Sequence, residues 1–377
     1  MSPSPRPTEP AVTVGLSGGV DSAVSALLLQ RRGARVSAVF MKNWEADDRE
    51  GYCAAAQDLA DAQAVCERLG VALEAVNFSD AYWDRVFERF LADHRAGLTP
   101  NPDVLCNQEI KFHAFLEHAL NRGADRIATG HYARVEHAGG RFRLLRGADP
   151  EKDQSYFLYT LGQGVLGRVE FPVGHLTKPE VRRLAAEAGL PNHARKGSTG
   201  ICFIGERRFR PFLARFLPLS PGEIRTLEGE VVGHHEGLAF YTLGQRRGLG
   251  IGGRRGARAA PWFVLAKDLG RNVLVVAQDH EHPALLSKVL TLREIHWVAG
   301  SAPAGRLDCT ARIRYRQKDQ PCRATPLSED RCRVEFARPQ WAATPGQSVV
   351  FYDGDECLGG GVIEPSDPAG IEARGSG

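Results

Sequence analysis

The chain has 377 residues, which at about 150 residues per domain corresponds to two or three domains. Its 43% hydrophobic and 25% charged residues are ordinary for a globular protein and exclude a chain that is disordered throughout. No run of about 20 apolar residues could form a transmembrane helix. Residues 1–10 are rich in proline and have no apolar stretch, so we expect a disordered leader and not a signal peptide.

The net charge of +3 is unevenly distributed along the chain. Residues 45–100 carry seven more acidic than basic side chains, whereas residues 195–258 carry seven more basic than acidic ones. This pattern fits a polyanion bound along one face of the protein, and it fits ordinary solvated helix faces equally well. Charge alone does not decide between the two.

Strand and helix patterns alternate over about the first 130 residues. Residues 11–16 are rich in valine and end in a Gly/Ser loop, and apolar residues then recur at helical spacing over 21–33. Further strands are predicted at 35–41, 71–78 and 125–132, and further helices at 59–70, 80–96 and 109–121. Such alternation predicts an α/β fold with a doubly wound parallel sheet, which binds ligands at the carboxyl ends of its strands.

The character of the sequence changes near residue 200. A short basic helix is predicted over 209–218, and residues 225–275 are rich in glycine. From about residue 285, short strands separated by Pro/Gly turns predict a small antiparallel β-barrel, with strand sequence at 288–298, 309–317, 332–339 and 348–364. We therefore expect a first domain over 11–205, a central domain over 206–278, a barrel domain over 279–364 and a disordered tail over 365–377.

A glycine-rich loop, Ser17-Gly18-Gly19-Val20-Asp21-Ser22, lies between the first strand and the first helix. Glycines let the backbone approach an anion, while successive N–H groups and the helix N-terminus point towards it. The loop matches neither the GxGxxG nor the Walker pattern, since it has no lysine and the first lysine of the chain is Lys42. It resembles the SGGxDS loop of ATP pyrophosphatases, which split ATP into AMP and pyrophosphate while they adenylate an oxygen.

The chain has eight cysteines, and no two of them have the CxxC spacing of zinc ribbons, thioredoxins and most iron–sulfur proteins. Six are expected to be reduced, buried thiols that only pack. Cys106 follows a Pro-rich turn and is expected at or just before the N-terminus of a helix that begins near Gln108, where the helix dipole favours a thiolate. Asp103 lies close enough in that turn to exchange protons with a reacting group. Cys202 lies between glycines in a loop whose neighbouring Arg and Lys side chains favour a thiolate.

Taken together, the motifs resemble those of the bacterial tRNA-specific 2-thiouridylases. The matching segments, in the family's order, are residues 17–22, 39–44, 99–112, 128–134, 152–159, 198–209, 243–253 and 314–317. The resemblance runs from about residue 11 to 364. It implies a Rossmann-like catalytic domain of the adenine nucleotide α-hydrolase type, a central tRNA-binding domain and a C-terminal antiparallel β-barrel.

The resemblance also implies an activity and its residues. The enzyme would adenylate the C2 oxygen of the wobble uridine of tRNA and then transfer sulfur from a cysteine persulfide, which yields 2-thiouridine, AMP and pyrophosphate. Cys202 matches the cysteine that carries the persulfide, and Asp103 matches the acid/base. Cys106 matches the catalytic nucleophile, which either releases that sulfur as hydrosulfide or closes a disulfide with Cys202. The positions that match the ATP site are Gly15, Leu16, Ser17, Gly18, Gly19, Val20, Asp21, Ser22, Met41 and Gly130.

The same family pattern implies how RNA is bound. The target uridine has to flip out of the anticodon loop because its O2 is not accessible in the stack. Positions that match the segment receiving the flipped base are Asn101, Pro102 and Asp103. Positions that match other tRNA contacts are His131, Lys152, Asp153, Gln154, Arg314, Tyr315 and Gln347. Around Tyr315, basic residues interleave with an aromatic ring, which suits backbone contacts plus stacking but also suits a barrel strand with one solvated face.

Partners and cofactors follow from the resemblance as well. We expect ATP bound as its Mg²⁺ complex, no tightly bound metal, and tRNA substrates of the lysine, glutamate and glutamine type. A persulfide-carrying protein fed by a cysteine desulfurase would supply the sulfur. We expect a cytoplasmic monomer with no membrane attachment.

Three other interpretations fit parts of the sequence. An amidotransferase-type synthetase would share the ATP loop but would need an ammonia source and would have no use for Cys106 and Cys202. A tRNA thiolase with an iron–sulfur cluster usually has CxxC motifs, although a cluster on Asp103, Cys106 and Cys202 stays open at this level. A non-catalytic tRNA-binding protein would not need an intact ATP loop.

Overall fold

The computed structural model describes residues 9–45, 54–195, 209–251 and 260–365. The predicted leader and tail lie almost entirely outside these ranges, and so do Cys53 and Cys202. Within the described part of the chain, no helix is both long and apolar enough to cross a membrane.

The N-terminal part of the chain folds around a five-stranded parallel sheet. Its strands are β1 (Ala11–Gly15), β2 (Arg35–Lys42), β3 (Leu73–Asn77), β4 (Arg126–Ala128) and β7 (Val169–Glu170), in the order β3-β2-β1-β4-β7. Strand β1 is buried along its whole length, as a central parallel strand should be. The strand order reverses between β1 and β4, so the loops after these two strands flank a crevice at the carboxyl edge. The predicted α/β fold with a parallel sheet is confirmed.

Helices lie on both faces of this sheet, and some of those in this part of the chain pack instead against the central part. They are α1 (Val20–Arg31), α2 (Ala54–Leu69), α3 (Ser79–Tyr82), α4 (Glu88–Arg95), α5 (Pro102–Cys106), α6 (Phe115–Asn121), α7 (Gln163–Leu166) and α8 (Lys178–Glu187). On one face, α1, α2 and α8 bury their apolar residues against the strands in a single core. On the other face, α6 and the π-helical stretch Asn107–Ala114 pack against the strands and against residues of the C-terminal barrel.

The helix that carries Cys106 begins earlier than predicted. Its first residue is Pro102, whose missing N–H costs no hydrogen bond in the first turn, and Asn101 is the N-cap. The Asn101 side chain accepts a hydrogen bond from the backbone N–H of Asp103 at 3.2 Å. The expected start near Gln108 was therefore wrong, because Asn101 and Pro102 are the N-cap and first residue of the helix and not part of a separate loop. Cys106 lies in the second turn of a continuous helical segment that extends to Asn121.

The central part of the chain forms a four-stranded sheet next to the short helix α9 (Phe209–Leu213). Its strands are β8 (Gly222–Arg225), β9 (Val231–His235), β10 (Phe263–Asp268) and β11 (Val273–Ala277), in the order β10-β11-β8-β9. Aromatic rings join this part to the first: Phe87 lies 4.8 Å from Trp44 and 4.9 Å from Phe216 between ring centroids. The two regions therefore share one apolar core.

The C-terminal region is a closed antiparallel barrel, as predicted. Its strands are β12 (Leu286–Trp297), β13 (Leu307–Arg312), β14 (Gln320–Pro326), β15 (Cys332–Trp341), β16 (Ser348–Asp353) and β17 (Glu356–Ile363). The order is β12-β15-β14-β13-β16-β17, and β17 pairs with β12 to close the barrel.

A hairpin from the first domain also joins the barrel. Strands β5 (Ala133–Ala138) and β6 (Arg141–Arg146) form this hairpin, and β6 pairs with β17. Nothing in the sequence reading predicted it. Because of this pairing, the segment that follows β4 of the parallel sheet is hydrogen-bonded directly to the barrel.

Candidate active site

The loop after β1 is closed by its own side chains. The Ser22 hydroxyl donates to the carbonyl of Gly19 at 3.0 Å and accepts from the backbone N–H of Ser17 at 3.2 Å. Gly18 has a φ of +73°, a conformation that L side chains rarely adopt. Since the N-cap of α1 is Gly19, no side chain of its own covers the first N–H groups of the helix. The loop and the start of α1 thus have a geometry that suits an anion.

A second layer of polar contacts holds the loop from outside. The carbonyl of Gly18 accepts hydrogen bonds from Asn192 Nδ2 at 2.8 Å and from Arg195 Nη1 at 3.4 Å. Arg195 also forms ion pairs with Asp58 and Asp61 of α2. Arg195 thus contacts residues 17–22, the ATP-type loop, and Cys202 follows it by seven residues in the sequence.

Asp21, in the first turn of α1, is held by two residues from distant parts of the chain. Its carboxylate accepts hydrogen bonds from the Tyr132 hydroxyl at 2.7 Å and from Lys178 Nζ at 2.6 and 2.8 Å. Burial and the neighbouring Asp21 charge raise the pKa of Tyr132, which keeps its hydroxyl protonated as the donor. Lys178 begins α8 directly after a capping box formed by Thr177 and Glu180. The fold therefore brings a lysine to a loop that has none in its own sequence.

Four further residues predicted for the ATP site lie at or just after the ends of β1, β2 and β4. A Cβ on Gly130 would lie 2.6 Å from the backbone nitrogen of Ser22, so only glycine allows the end of β4 to approach the loop this closely. A Cβ on Gly15 would lie 3.1 Å from Met41 Cε, and Met41 is buried. Leu16, which directly follows β1, is buried as well.

The segment around Cys106 lies between the aromatic core and a cavity next to the barrel. Cys106 itself is fully buried in the aromatic core with Trp44, Ile110 and Phe212. Pro100 and Asn101 face the other way and line a cavity of about 320 Å³ between α4, α5 and the barrel. Cys106 was expected at or just before a helix N-terminus, but it lies in the second turn of its helix and is fully buried.

Comparisons with known proteins assign the chain to a family. A family model described as the tRNA methyl transferase HUP domain matches residues 10–206. Models described as the tRNA methyl transferase PRC-barrel domain and the aminomethyltransferase beta-barrel domain match residues 210–278 and 287–363. A tRNA-specific 2-thiouridylase MnmA of Methylococcus capsulatus is 63% identical over 94% of this chain and 96% of its own length. Proteins of the same name from Nitrosococcus oceani and Sodalis glossinidius are 57% and 59% identical, and each alignment covers at least 95% of both chains.

The chain belongs to the tRNA-specific 2-thiouridylase family.

The residues that match the family's tRNA contacts differ widely in exposure. Lys152 is exposed, whereas Asp153 is only 3% exposed and accepts hydrogen bonds from the backbone N–H groups of Gly147 and Ser155 at 3.2 and 3.1 Å. Gln154 Oε1 accepts from the backbone N–H of Tyr132 at 3.0 Å. Gln154 and Asp21 thus hold opposite ends of the same tyrosine.

His131 is also buried. Its Nδ1 shares a 2.8 Å hydrogen bond with Thr129 Oγ1, and burial, with a smaller contribution from Lys111, holds its pKa well below the usual range. A neutral His131 in this position supports the loop after β4.

Three of the positions predicted to contact tRNA belong to the barrel region, namely Arg314, Tyr315 and Gln347. The first two lie in a turn and not in the predicted strand over 309–317, because β13 already ends at Arg312. Arg314 donates to the carbonyl of Ala342 at 2.8 Å, and the Tyr315 ring lies 4.6 Å from that of Phe157. A turn presents these side chains in several directions, whereas a strand would have alternated them between two faces.

Gln347 points towards the Cys106 segment. Its Nε2 donates to the carbonyl of Thr99 at 2.6 Å and approaches that of Pro100 at 3.4 Å. In this conformation the residue therefore holds the loop that leads into Asn101.

The arrangement of the 2-thiouridylase site could be foreseen only in part. Lys178 was missed; the capping-box pattern marks a helix start, but nothing in it shows which loop the helix meets. Cys202 lies outside the described residues, so its distance from Cys106 is not defined. Among the residues that the structure describes, no group of three or more His, Cys, Asp or Glu side chains could hold a metal ion.

Proposed function

We propose that this protein is an ATP-dependent sulfurtransferase that converts the C2 oxygen of the wobble uridine in tRNA to sulfur. The observation that carries the proposal is the full-length similarity to proteins named tRNA-specific 2-thiouridylase, with the glycine-rich loop intact in sequence and in geometry. A methyl transfer, which the family-model descriptions suggest, would have no need for this loop. Adenylation of the uridine O2 does need a loop that binds ATP. It converts this oxygen, a poor leaving group, into part of AMP, which leaves readily.

The first step is attack of the uridine O2 on the α-phosphorus of ATP, which forms an O–P bond and expels pyrophosphate. Residues Gly15 to Ser22 hold the phosphates by backbone N–H groups, and Met41 and Gly130 line the nucleotide pocket. Mg²⁺ bound to ATP would neutralise part of the phosphate charge. Lys178 and Tyr132 fix Asp21, and through it the first turn of α1.

The second step replaces the adenylated oxygen by sulfur. The outer sulfur of a Cys202 persulfide attacks C2, either still attached or after release as hydrosulfide, and AMP leaves with the original O2. Cys106 attacks the inner sulfur of Cys202, so that a Cys106–Cys202 disulfide forms in either variant. A thiol reductant then supplies two electrons to restore both thiols. Asp103 transfers the protons.

This sequence of steps requires the helix around Cys106 to move or open, since the thiol is fully buried. Asn101, Pro102 and Asp103 receive the flipped uridine, and the cavity next to Asn101 offers space beside it. Lys152, Arg314 and Tyr315 contact the tRNA directly, while His131, Asp153, Gln154 and Gln347 hold the loops that carry those contacts.

The proposal also covers the domain organisation, the tRNA substrates and the sulfur donor. The domains are 11–205, 206–278 and 279–364, and the basic region 195–258 contacts the phosphate backbone. The enzyme acts in the cytoplasm as a monomer on the tRNAs for lysine, glutamate and glutamine. A persulfide-carrying protein fed by a cysteine desulfurase supplies the sulfur.

The proposal is tested by nucleoside analysis of tRNA after incubation with ATP, Mg²⁺ and a sulfur donor. Wild type should form 2-thiouridine, and Cys202→Ser and Cys106→Ser should not, although both should still release pyrophosphate in a tRNA-dependent manner. Cys309→Ser, in the barrel, is the matched control and should behave like wild type. Asp21→Ala should abolish pyrophosphate release as well. Full sulfur transfer by Cys202→Ser would refute the sulfur path, and no 2-thiouridine from wild type would refute the function.

A further inference from the structure

The loop between α4 and α5, residues 96–101, is held by both of the other domains. From the barrel, Gln347 donates to the carbonyl of Thr99, and the backbone N–H of Thr99 donates to the carbonyl of Pro345 at 2.9 Å. A Cβ on Gly346 would lie 2.8 Å from the backbone nitrogen of Thr99. The barrel therefore contacts this loop closely enough to fix its backbone.

The central domain holds the same loop from its other end. Lys267 of β10 donates from Nζ to the carbonyl of Gly97 at 2.9 Å. Gly97 lies two residues after the end of α4 at Arg95 and has a φ of +75°, and a Cβ there would lie 2.9 Å from Leu269 Cδ2. A cation that binds a carbonyl at a helix C-terminus is favoured by the helix dipole as well as by the hydrogen bond.

Two more contacts join the central domain to this region. His94 Nδ1 and the carbonyl of Ala239 are 3.1 Å apart, and the hydroxyls of Thr99 and Thr242 are 3.4 Å apart. Burial lowers the pKa of Lys267 to about 8. The hydrogen bond to the Gly97 carbonyl offsets part of the cost of removing the ammonium group from water.

We propose that Lys267 is a positioning residue for the base-receiving segment: by holding the Gly97 carbonyl, it fixes Asn101 and Asp103 relative to the central domain. The inference rests on the proposed function. Together with Gln347 it makes the loop a junction of three domains, so that tRNA docked on the central domain and the barrel meets a base-receiving segment in a defined place. Lys267 itself touches neither the base nor ATP.

The expected effect is on the rate of the chemical step. The loop determines where the uridine O2 lies relative to the α-phosphorus, and a displacement of about 1 Å from a reactive geometry can cost on the order of 100-fold in rate. Lys267→Met should therefore lower kcat for thiolation at least tenfold, with KM for tRNA within about threefold of wild type. Lys267→Arg, which keeps the charge and the donor, should retain most of kcat.

A second readout does not depend on activity. Hydrogen exchange of the peptide covering residues 97–106 should be at least tenfold faster in Lys267→Met than in wild type, whereas exchange of residues 11–31 should not change. Lys288→Met is the matched control, since Lys288 is exposed on the barrel, and it should alter neither kcat nor exchange. ATP affinity, measured by calorimetry, should be the same in all four proteins.

The outcomes separate the alternatives. Wild-type kcat and wild-type exchange in Lys267→Met would overturn the inference. Equal losses in Lys267→Met and Lys267→Arg, or a loss confined to KM for tRNA, would also overturn it, since they indicate a general packing defect or a direct RNA contact. If wild type forms no 2-thiouridine, the proposed function fails, and the exchange experiment still decides whether Lys267 holds the loop.

Discussion

Lys178→Met tests whether a lysine from α8 completes the ATP-type loop. The substitution removes the ammonium group that contacts both carboxylate oxygens of Asp21, and it keeps an unbranched side chain of similar length. Tyr132 still donates to Asp21, so one of its partners is retained. The first turn of α1, whose N–H groups are proposed to bind phosphate, then loses part of its support.

The magnitude follows from the burial of the pair. An exposed ion pair contributes about 0–1 kcal/mol, whereas removal of one partner of a fully buried pair costs about 3–5 kcal/mol. The side chains of Lys178 and Asp21 are 13% and 30% exposed, which places this pair between those limits, at about 2 kcal/mol. Since about 1.4 kcal/mol corresponds to a factor of ten, kcat/KM for ATP should fall about 30-fold.

The assay is tRNA-dependent pyrophosphate release over a range of ATP concentrations. Arg183→Met on the same helix is the matched control, because its pair with Glu187 is well exposed and should contribute less than a twofold change. A folded Lys178→Met variant with kcat/KM for ATP within threefold of wild type would refute the role given to the pair. A higher kcat/KM for ATP in Lys178→Met than in wild type would show that Lys178 holds Asp21 away from the nucleotide.

Three further predictions concern other parts of the molecule. Burial lowers the pKa of His94 to about 4, so the folded protein binds a proton at His94 less readily than the unfolded chain does. The free energy of unfolding should therefore decrease as the pH is lowered from about 6.5 to 4. In urea unfolding, the free energy of unfolding of wild type should decrease by up to about 3 kcal/mol more over this interval than that of His94→Gln. Equal decreases in the two proteins would contradict a lowered pKa for His94. Cys309 and Cys322 lie opposite each other on β13 and β14, and their sulfurs are 3.7 Å apart. Diamide should therefore oxidise the two thiols to one disulfide, which peptide mapping detects. The buried thiol of Cys357 is the control and should stay reduced. Gly130→Ala should weaken ATP binding at least tenfold in calorimetry because its Cβ meets the α1 backbone, whereas Gly164→Ala, with open space around it, should not; equal affinities would refute the close approach.

Local patterns predicted the parallel sheet and the glycine-rich loop correctly. Valine-rich strand β1, the glycines and the apolar spacing of α1 lie within one short stretch of sequence, so propensity and turn chemistry act on neighbours. The antiparallel barrel was predicted for the same reason, from alternation and Pro/Gly turns within single strands.

Contacts between distant segments could not be predicted. Lys178 meets Asp21 across 157 residues, and Gln347 meets Thr99 across 248. The start of the Cys106 helix was misplaced because Pro102 is equally compatible with a turn and with the first residue of a helix. For Asp153 and His131, family resemblance identified the positions, but only the fold shows that both side chains are buried and hydrogen-bonded within the protein.

The central claim is that uridine O2 attacks ATP before sulfur arrives. It is tested by a single turnover on tRNA that carries ¹⁸O at C2 of the wobble uridine, with mass analysis of the AMP formed. The account predicts that AMP gains the label in the same amount as 2-thiouridine is formed, because the O–P bond is retained when AMP leaves. Unlabelled AMP alongside normal 2-thiouridine would contradict it.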